Sequence, residues 1–322
     1  MKACGVVLSC VLVCGVSADL AAQNTADPTT PVTTEPAPPV AADPALVQHI
    51  TVESVSPLLV QPSMNVFRRF AADRTKMTDF YGKVLGLKPL PGINMQGGGQ
   101  MIRFQVGTSE IKLQATPAAS QYKSGRVREV VGLRVLTFFF QDGAALTARF
   151  KENGYPAPEF KEVHPGKKVA MVLDPDNQWV ELVVVPGAPA VTFDRLEVGL
   201  TVSDLDTSRA FYRSFVGLEE LKPMDDLLLG VTKYPFRHGT TTINVWTFGK
   251  GLPVNTRSAG IQYIVGDAAA VDALAKARHV TIDQPLGNFS ESLRTIWLAD
   301  PDGITNYFDE IVRAPTAPLP PG

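Results

Sequence analysis

At 322 residues, with 45% hydrophobic and 19% charged side chains, the chain is long enough for two domains of ordinary size, each with a core of its own. Its 30 basic residues stand against 32 acidic ones, a formal charge of −2. That balance draws the protein toward neither nucleic acid nor acidic lipid.

Met1-Lys2 is followed by the apolar run ACGVVLSCVLVCGV (3–16) and then by small residues around Ala18 and Ala22. This order predicts a secretory signal peptide over 1–22, too short to span a bilayer, and hence a periplasmic or secreted protein with no membrane association beyond export. Cys4, Cys10 and Cys14 all lie inside it, so the mature chain holds no disulfide and no thiolate ligand or nucleophile. A lipid-anchored cysteine is the rival reading, but Val13 is larger than the residue such sites accept before the cysteine. Residues 23–59 read as a Pro/Thr-rich linker, with six prolines and five threonines within 23–45, and APTAPLPPG (314–322) reads as a disordered tail.

Between them the sequence repeats. DFYGKVLGLKPL (79–90) returns as AFYRSFVGLEEL (210–221) at an offset of 131, and VLDPDNQWVEL (172–182) returns as LADPDGITNYF (298–308) at an offset of 126. Each half divides again. Asp73, Asp142, Asp204 and Asp267 each follow an apolar strand-like run and open a helical pattern; Met77, Phe80, Tyr81 and Val84 form one such stripe, and Leu205, Ser208, Phe211, Tyr212 and Phe215 another. Alternating segments follow, among them MIRFQV (101–106), EIKLQA (110–115), TTINVWTF (241–248) and RTIWLA (294–299), which are strands.

Four strand-helix-strands units, with D-P-D turns and FY…GL closing a helix, resemble the vicinal oxygen chelate superfamily, which includes glyoxalase I, bleomycin-resistance proteins and extradiol dioxygenases. The resemblance implies an α+β fold of four βαβββ modules forming two tandem half-barrel domains, 60–187 and 191–313. It also implies a divalent metal held by inward side chains seven residues before each capping Asp and seven after the first Asp of each D-P-D. Counting gives Val66, Val135 and Glu181 in the first half and Glu197, Gly260 and Tyr307 in the second. Only Glu181 and Glu197 can ligate, so no metal site and no cofactor are expected. His49, His164, His238 and His279 read as surface residues, and GGG (97–99) lacks the spacing of a dinucleotide loop.

Strand alternation points to a polar cavity instead. Arg68, Arg103, Gln105, Lys112, Gln114 and Glu181 are expected to line the first barrel, and Glu197, Asn244 and Trp246 the second. The rival placement puts these charges on solvent-facing strand faces or in structural pairs. The reading that follows is an exported, monomeric two-domain protein that binds a small polar or anionic molecule without a conventional metal site. The alternative is a metal-dependent enzyme of the same fold, a glyoxalase-type lyase or an extradiol-type dioxygenase, with its divalent ion held from positions outside this counting.

Overall fold

In a computed structural model of the protein, residues 52–95, 99–116, 126–256 and 259–312 are described. The expected leader, most of the linker, the tail, His49, Gly97 and Gly98 lie outside the described residues. Module one comprises β1 (Asn65–Phe70), α1 (Arg74–Asp79), β2 (Lys88–Asn94), β3 (Gln100–Val106) and β4 (Ser109–Ala115). Module two comprises β5 (Gly132–Phe140), α2 (Gly143–Glu152), β6 (Lys161–His164), β7 (Lys167–Leu173) and β8 (Trp179–Val184). Module three comprises β9 (Leu196–Thr201), α3 (Leu205–Ala210), β10 (Glu219–Glu220), β11 (Met224–Asp226), β12 (Val231–His238) and β13 (Thr241–Trp246). Module four comprises β14 (Ala259–Val265), α4 (Ala268–Ala277), β15 (Ile282–Ser290), β16 (Leu293–Ala299) and β17 (Thr305–Ile311). Four βαβββ-type modules in two tandem copies are therefore present, as the repeats imply.

All four predicted caps form. The carboxylates of Asp73, Asp142, Asp204 and Asp267 each accept from backbone N–H groups of the helix that follows, satisfying donors that the first turn leaves free. The folded part begins before residue 60, because Val55 is fully buried and its N–H donates to the Phe215 carbonyl. Among the described residues no helix is long and apolar enough to cross a membrane.

The sheets do not follow the sequence halves. One runs β15-β16-β17-β14-β1-β4-β3-β2, joining modules four and one; the other runs β10-β12-β13-β9-β5-β8-β7-β6, joining modules three and two, with β11 added along β12. At each seam the first strands of two modules pair antiparallel, Asn65 opposite Gln262 and Thr137 opposite Glu197. The expected grouping of modules one and two around a shared cavity is thus corrected: each concave face takes one module from each half. The helix-side faces of both sheets share one apolar core, in which Phe80 meets Phe150 edge-on and Tyr81 packs on Phe104 and Phe138.

Each tandem copy is held together by its D-P-D turn. Asp174 Oδ1 accepts from the N–H groups of Asp176 and Gln178, its Oδ2 accepts from the Tyr81 hydroxyl, and Asp176 accepts from Ala71 and Ala72 N–H. In the second copy Asp300, Tyr212, Asp302 and Ser203 repeat the arrangement. The D-P-D motif thus serves as a clamp between modules.

Candidate functional site

Alternation along the strands of the second sheet sends Thr137 and Phe139 of β5, Glu181 and Val183 of β8, Glu197 of β9, Asn244 and Trp246 of β13 and Lys233 of β12 to the concave face. Glu181 is buried, as its apolar neighbours in sequence require, and its carboxylate accepts from the Thr137 hydroxyl at 2.7 Å and from Lys233 Nζ at 3.3 Å. Lys233 Nζ also lies 2.5 Å from Asp226 Oδ2 and above the Trp246 ring, 5.8 Å from its centroid. Glu197 accepts from Asn244 Nδ2 at 2.7 Å and pairs with Arg195, whose guanidinium stacks on Phe139 at 4.5 Å. Trp246 itself is buried, donating from Nε1 to Thr201 at 2.9 Å; its ring lies against Gly199, where any Cβ would collide with it.

These charges set one another's protonation. Burial opposes the charge on Lys233, but Glu181, Asp226 and Glu197 outweigh it and raise its pKa, so the side chain is held as an ammonium. Burial pushes the Glu181 carboxyl upward, against the pull of Lys233 and the Thr137 hydrogen bond. Two apolar clusters flank the charged group, one around Val135 and Trp246 and the other around Phe139, Val169 and Val183. The turn after β11 folds over it: Asp226 Oδ1 accepts from Leu228 and Leu229 N–H while its Oδ2 meets the lysine. A cavity of about 110 Å³ remains, walled by Phe139, Val169, Val183 and Leu228, floored by Glu181, Glu197, Asp226 and Lys233, and edged by Lys167 and His164.

Arg68, Arg103, Gln105, Lys112 and Gln114 do not join Glu181, which corrects the expected first-barrel cluster. Arg68 points to the opposite face, buried against Tyr81 and Asp174 at 3.1 Å from each. Arg103 forks onto Glu110, a pair whose side chains are 21% and 24% exposed. Gln105 donates to the Gly107 carbonyl. Lys112 Nζ donates to Gln262 at 2.6 Å on the concave face of the first sheet, where burial lowers its pKa. Gln114 borders a shallow, open hollow with Arg74 and Gln100. The sequence reading missed Lys233 and Asp226: it assigned no strand around either, and Pro235 interrupts the alternating run that carries Lys233. The alternation of Lys233 with Tyr234 and Phe236 was the available signal.

The counting also slips by one on β1. Val66 packs into the helix-side core, whereas Asn65 pairs with Gln262 as Glu197 pairs with Thr137. Both Ala71 and Ala72 N–H groups reach Asp176 after β1, whereas after β9 only Ser203 N–H reaches Asp302, and this extra residue shifts the register.

The sequence matches the Glyoxalase/Bleomycin resistance protein/Dioxygenase superfamily twice, over residues 63–182 and 193–308. The chain belongs to that superfamily. No curated protein matches it in sequence. Among solved structures, glyoxalase I from Zea mays aligns with a TM-score of 0.61 at 19% identity, covering 77% of this chain and 92% of that one. A candidate dioxygenase from Bacillus subtilis aligns with a TM-score of 0.55 at 15% identity, covering 80% and 87%. At these identities the likeness establishes the fold alone.

Within the superfamily fold, register identifies the four places of the expected metal ligands. In the second sheet they hold Val135, Glu181, Glu197 and Asn244; in the first, Asn65, Lys112, Gly260 and Tyr307. Neither set fits a transition metal. The second offers two carboxylates already bonded to cations or amides, one amide and one valine, and a lysine ammonium lies among them; the first offers a lysine, a glycine, a phenol and an amide. Among the described residues no three acidic, histidine or cysteine side chains are grouped to hold an ion.

Proposed function

We propose that this superfamily member is an exported protein that binds a small anionic organic molecule in the second-sheet cavity, without a metal ion. The single observation that carries this reading is the distribution of free charge around that cavity. Glu181, Glu197 and Asp226 are each engaged by Lys233, Arg195, Asn244 or backbone N–H groups, whereas at the rim Lys167 and Asp225 have no ion-pair partner among the described residues, Asp225 accepting from the Thr232 hydroxyl. The Lys167 ammonium at the mouth can pair with an anion, and Phe139, Val169 and Val183 offer apolar surface to its carbon skeleton. The volume suits a few-carbon acid rather than a drug-sized ligand.

Thermal denaturation with small carboxylic, hydroxy and keto acids, against matched amines and alcohols, tests this. The melting temperature is expected to rise with one or more acids, and Lys167→Glu is expected to abolish the rise. Stabilisation by amines alone would overturn it. Export has its own test: N-terminal sequencing of the native protein is expected to begin near Asp19 or Gln23, and an intact Met1 would refute it.

A further inference from the structure

We infer that the Lys233 ammonium is a tethered cation standing in for the divalent ion of the fold, and that its presence excludes such an ion from the second sheet. Three independent features converge on this. Register puts Glu181, Glu197 and Asn244 at three of the four ligand places, so the oxygen-rich part of a metal site is retained. The positive charge beside Glu181 comes from β12: Lys233 Nζ contacts Glu181 at 3.3 Å and Asp226 at 2.5 Å, and is buried over Trp246, while Glu197 is bonded to Asn244 and Arg195. Asp226 reaches it from the turn after β11, so the lysine also fastens that turn across the concave face.

The first sheet repeats the device with a different residue. There a ligand place is itself Lys112, whose Nζ donates to Gln262 at 2.6 Å and lies 3.7 Å from Glu110. Two concave faces related by duplication thus each carry an ammonium, Lys233 buried and Lys112 partly so, supplied from non-equivalent strand positions. A fixed lysine supplies the charge that buried carboxylates require, and it needs no ion from solution. It also differs chemically from a metal: an ammonium donates hydrogen bonds and does not open a coordination place for two neighbouring oxygens of a substrate.

The inference goes beyond the proposed ligand and is tested with a different probe, Mn²⁺ alone, so the two stand or fall separately. Equilibrium dialysis of the full mature chain against about 0.1 mM Mn²⁺ is expected to leave the wild-type protein with far less than one equivalent. Lys233→Ala removes the internal cation and leaves the two carboxylates that contact it, Glu181 and Asp226, as oxygen donors of the kind Mn²⁺ takes, water completing the shell; it is expected to bind about one equivalent and to melt higher as Mn²⁺ rises. Adding Glu181→Gln to Lys233→Ala is expected to abolish both effects. If Lys233→Ala does not fold alone, recovery of its circular dichroism by about 1 mM Mn²⁺, lost with Glu181→Gln, gives the same support. Stoichiometric Mn²⁺ on the wild-type chain that Glu181→Gln removes would overturn the inference. So would a folded Lys233→Ala variant that ignores Mn²⁺, or one that stays unfolded in its presence.

Discussion

Replacing Arg68 with methionine is expected to cost about 3–5 kcal/mol of folding stability, measured by urea unfolding, because it strands a buried carboxylate. Arg68 Nη1 lies 3.1 Å from Asp174 Oδ2, and both side chains are almost fully shielded from water. Burial alone would disfavour the guanidinium charge, yet Tyr81, Asp174 and Asp176 together raise its pKa. Asp174 also anchors the D-P-D clamp, so losing its counter-ion disturbs the joint between modules one and two. The double variant Arg68→Met, Asp174→Asn removes both charges and is expected to recover part of the loss. A single-variant cost below ~1 kcal/mol would show that the ion pair contributes little beyond the surrounding packing.

The second copy lacks that arginine, and a pH dependence is expected in its place. Leu200 occupies the corresponding place on β9, so Asp300 is buried with the Tyr212 hydroxyl and two backbone N–H groups and, among the described residues, no cation. Burial pushes its carboxyl from the ordinary 3.8 up to about 7, with the hydrogen bonds from Ile304 and Tyr212 only partly opposing it. A carboxyl whose pKa rises on folding favours the folded state while protonated. No penalty falls below pH ~4; it grows as pH rises and is complete above pH ~7, where it reaches about 4 kcal/mol at roughly 1.4 kcal/mol per pH unit. Asp300→Asn, nearly isosteric, is expected to flatten this dependence between pH 5 and 8 and to be the more stable protein at pH 8, read from denaturant midpoints. Equal slopes for the two proteins would refute it.

Much of the fold was legible because its signals are local. The four capping aspartates, the helical stripes and the alternating strands each depend on a few adjacent residues, and the two repeated motifs revealed the duplication. The partnership of modules was not legible, since neighbouring modules in sequence are the natural guess and nothing in a strand's period names its partner. That one choice separated Glu181 from Arg103 and Lys112 and set it beside Glu197 and Asn244, which had been assigned to the other cavity. Arg68 was misplaced for a smaller reason. One additional residue between β1 and α1 turns every side chain of the strand to the other face relative to its counterpart on β9, as a period of two demands. Lys233 lay two residues before a proline that lowers any strand assignment, although the finished sheet accommodates Pro235 opposite Asn244.

The pairing of modules gives the chain the logic of nested brackets. Modules two and three close on each other as an inner pair, while β1 must wait for β14, nearly 200 residues further along, with Asn65 meeting Gln262 across the seam. During synthesis the inner sheet has all its strands once β13 emerges, but the first module keeps an open edge until the last has arrived. An unpaired edge of that kind is a template for wrong partners, and closing so long a loop is slow. At the seam the Asn65–Gln262 pair puts one polar contact on the concave side of that waiting edge, while Val66 and Ile261 beside it join the apolar core.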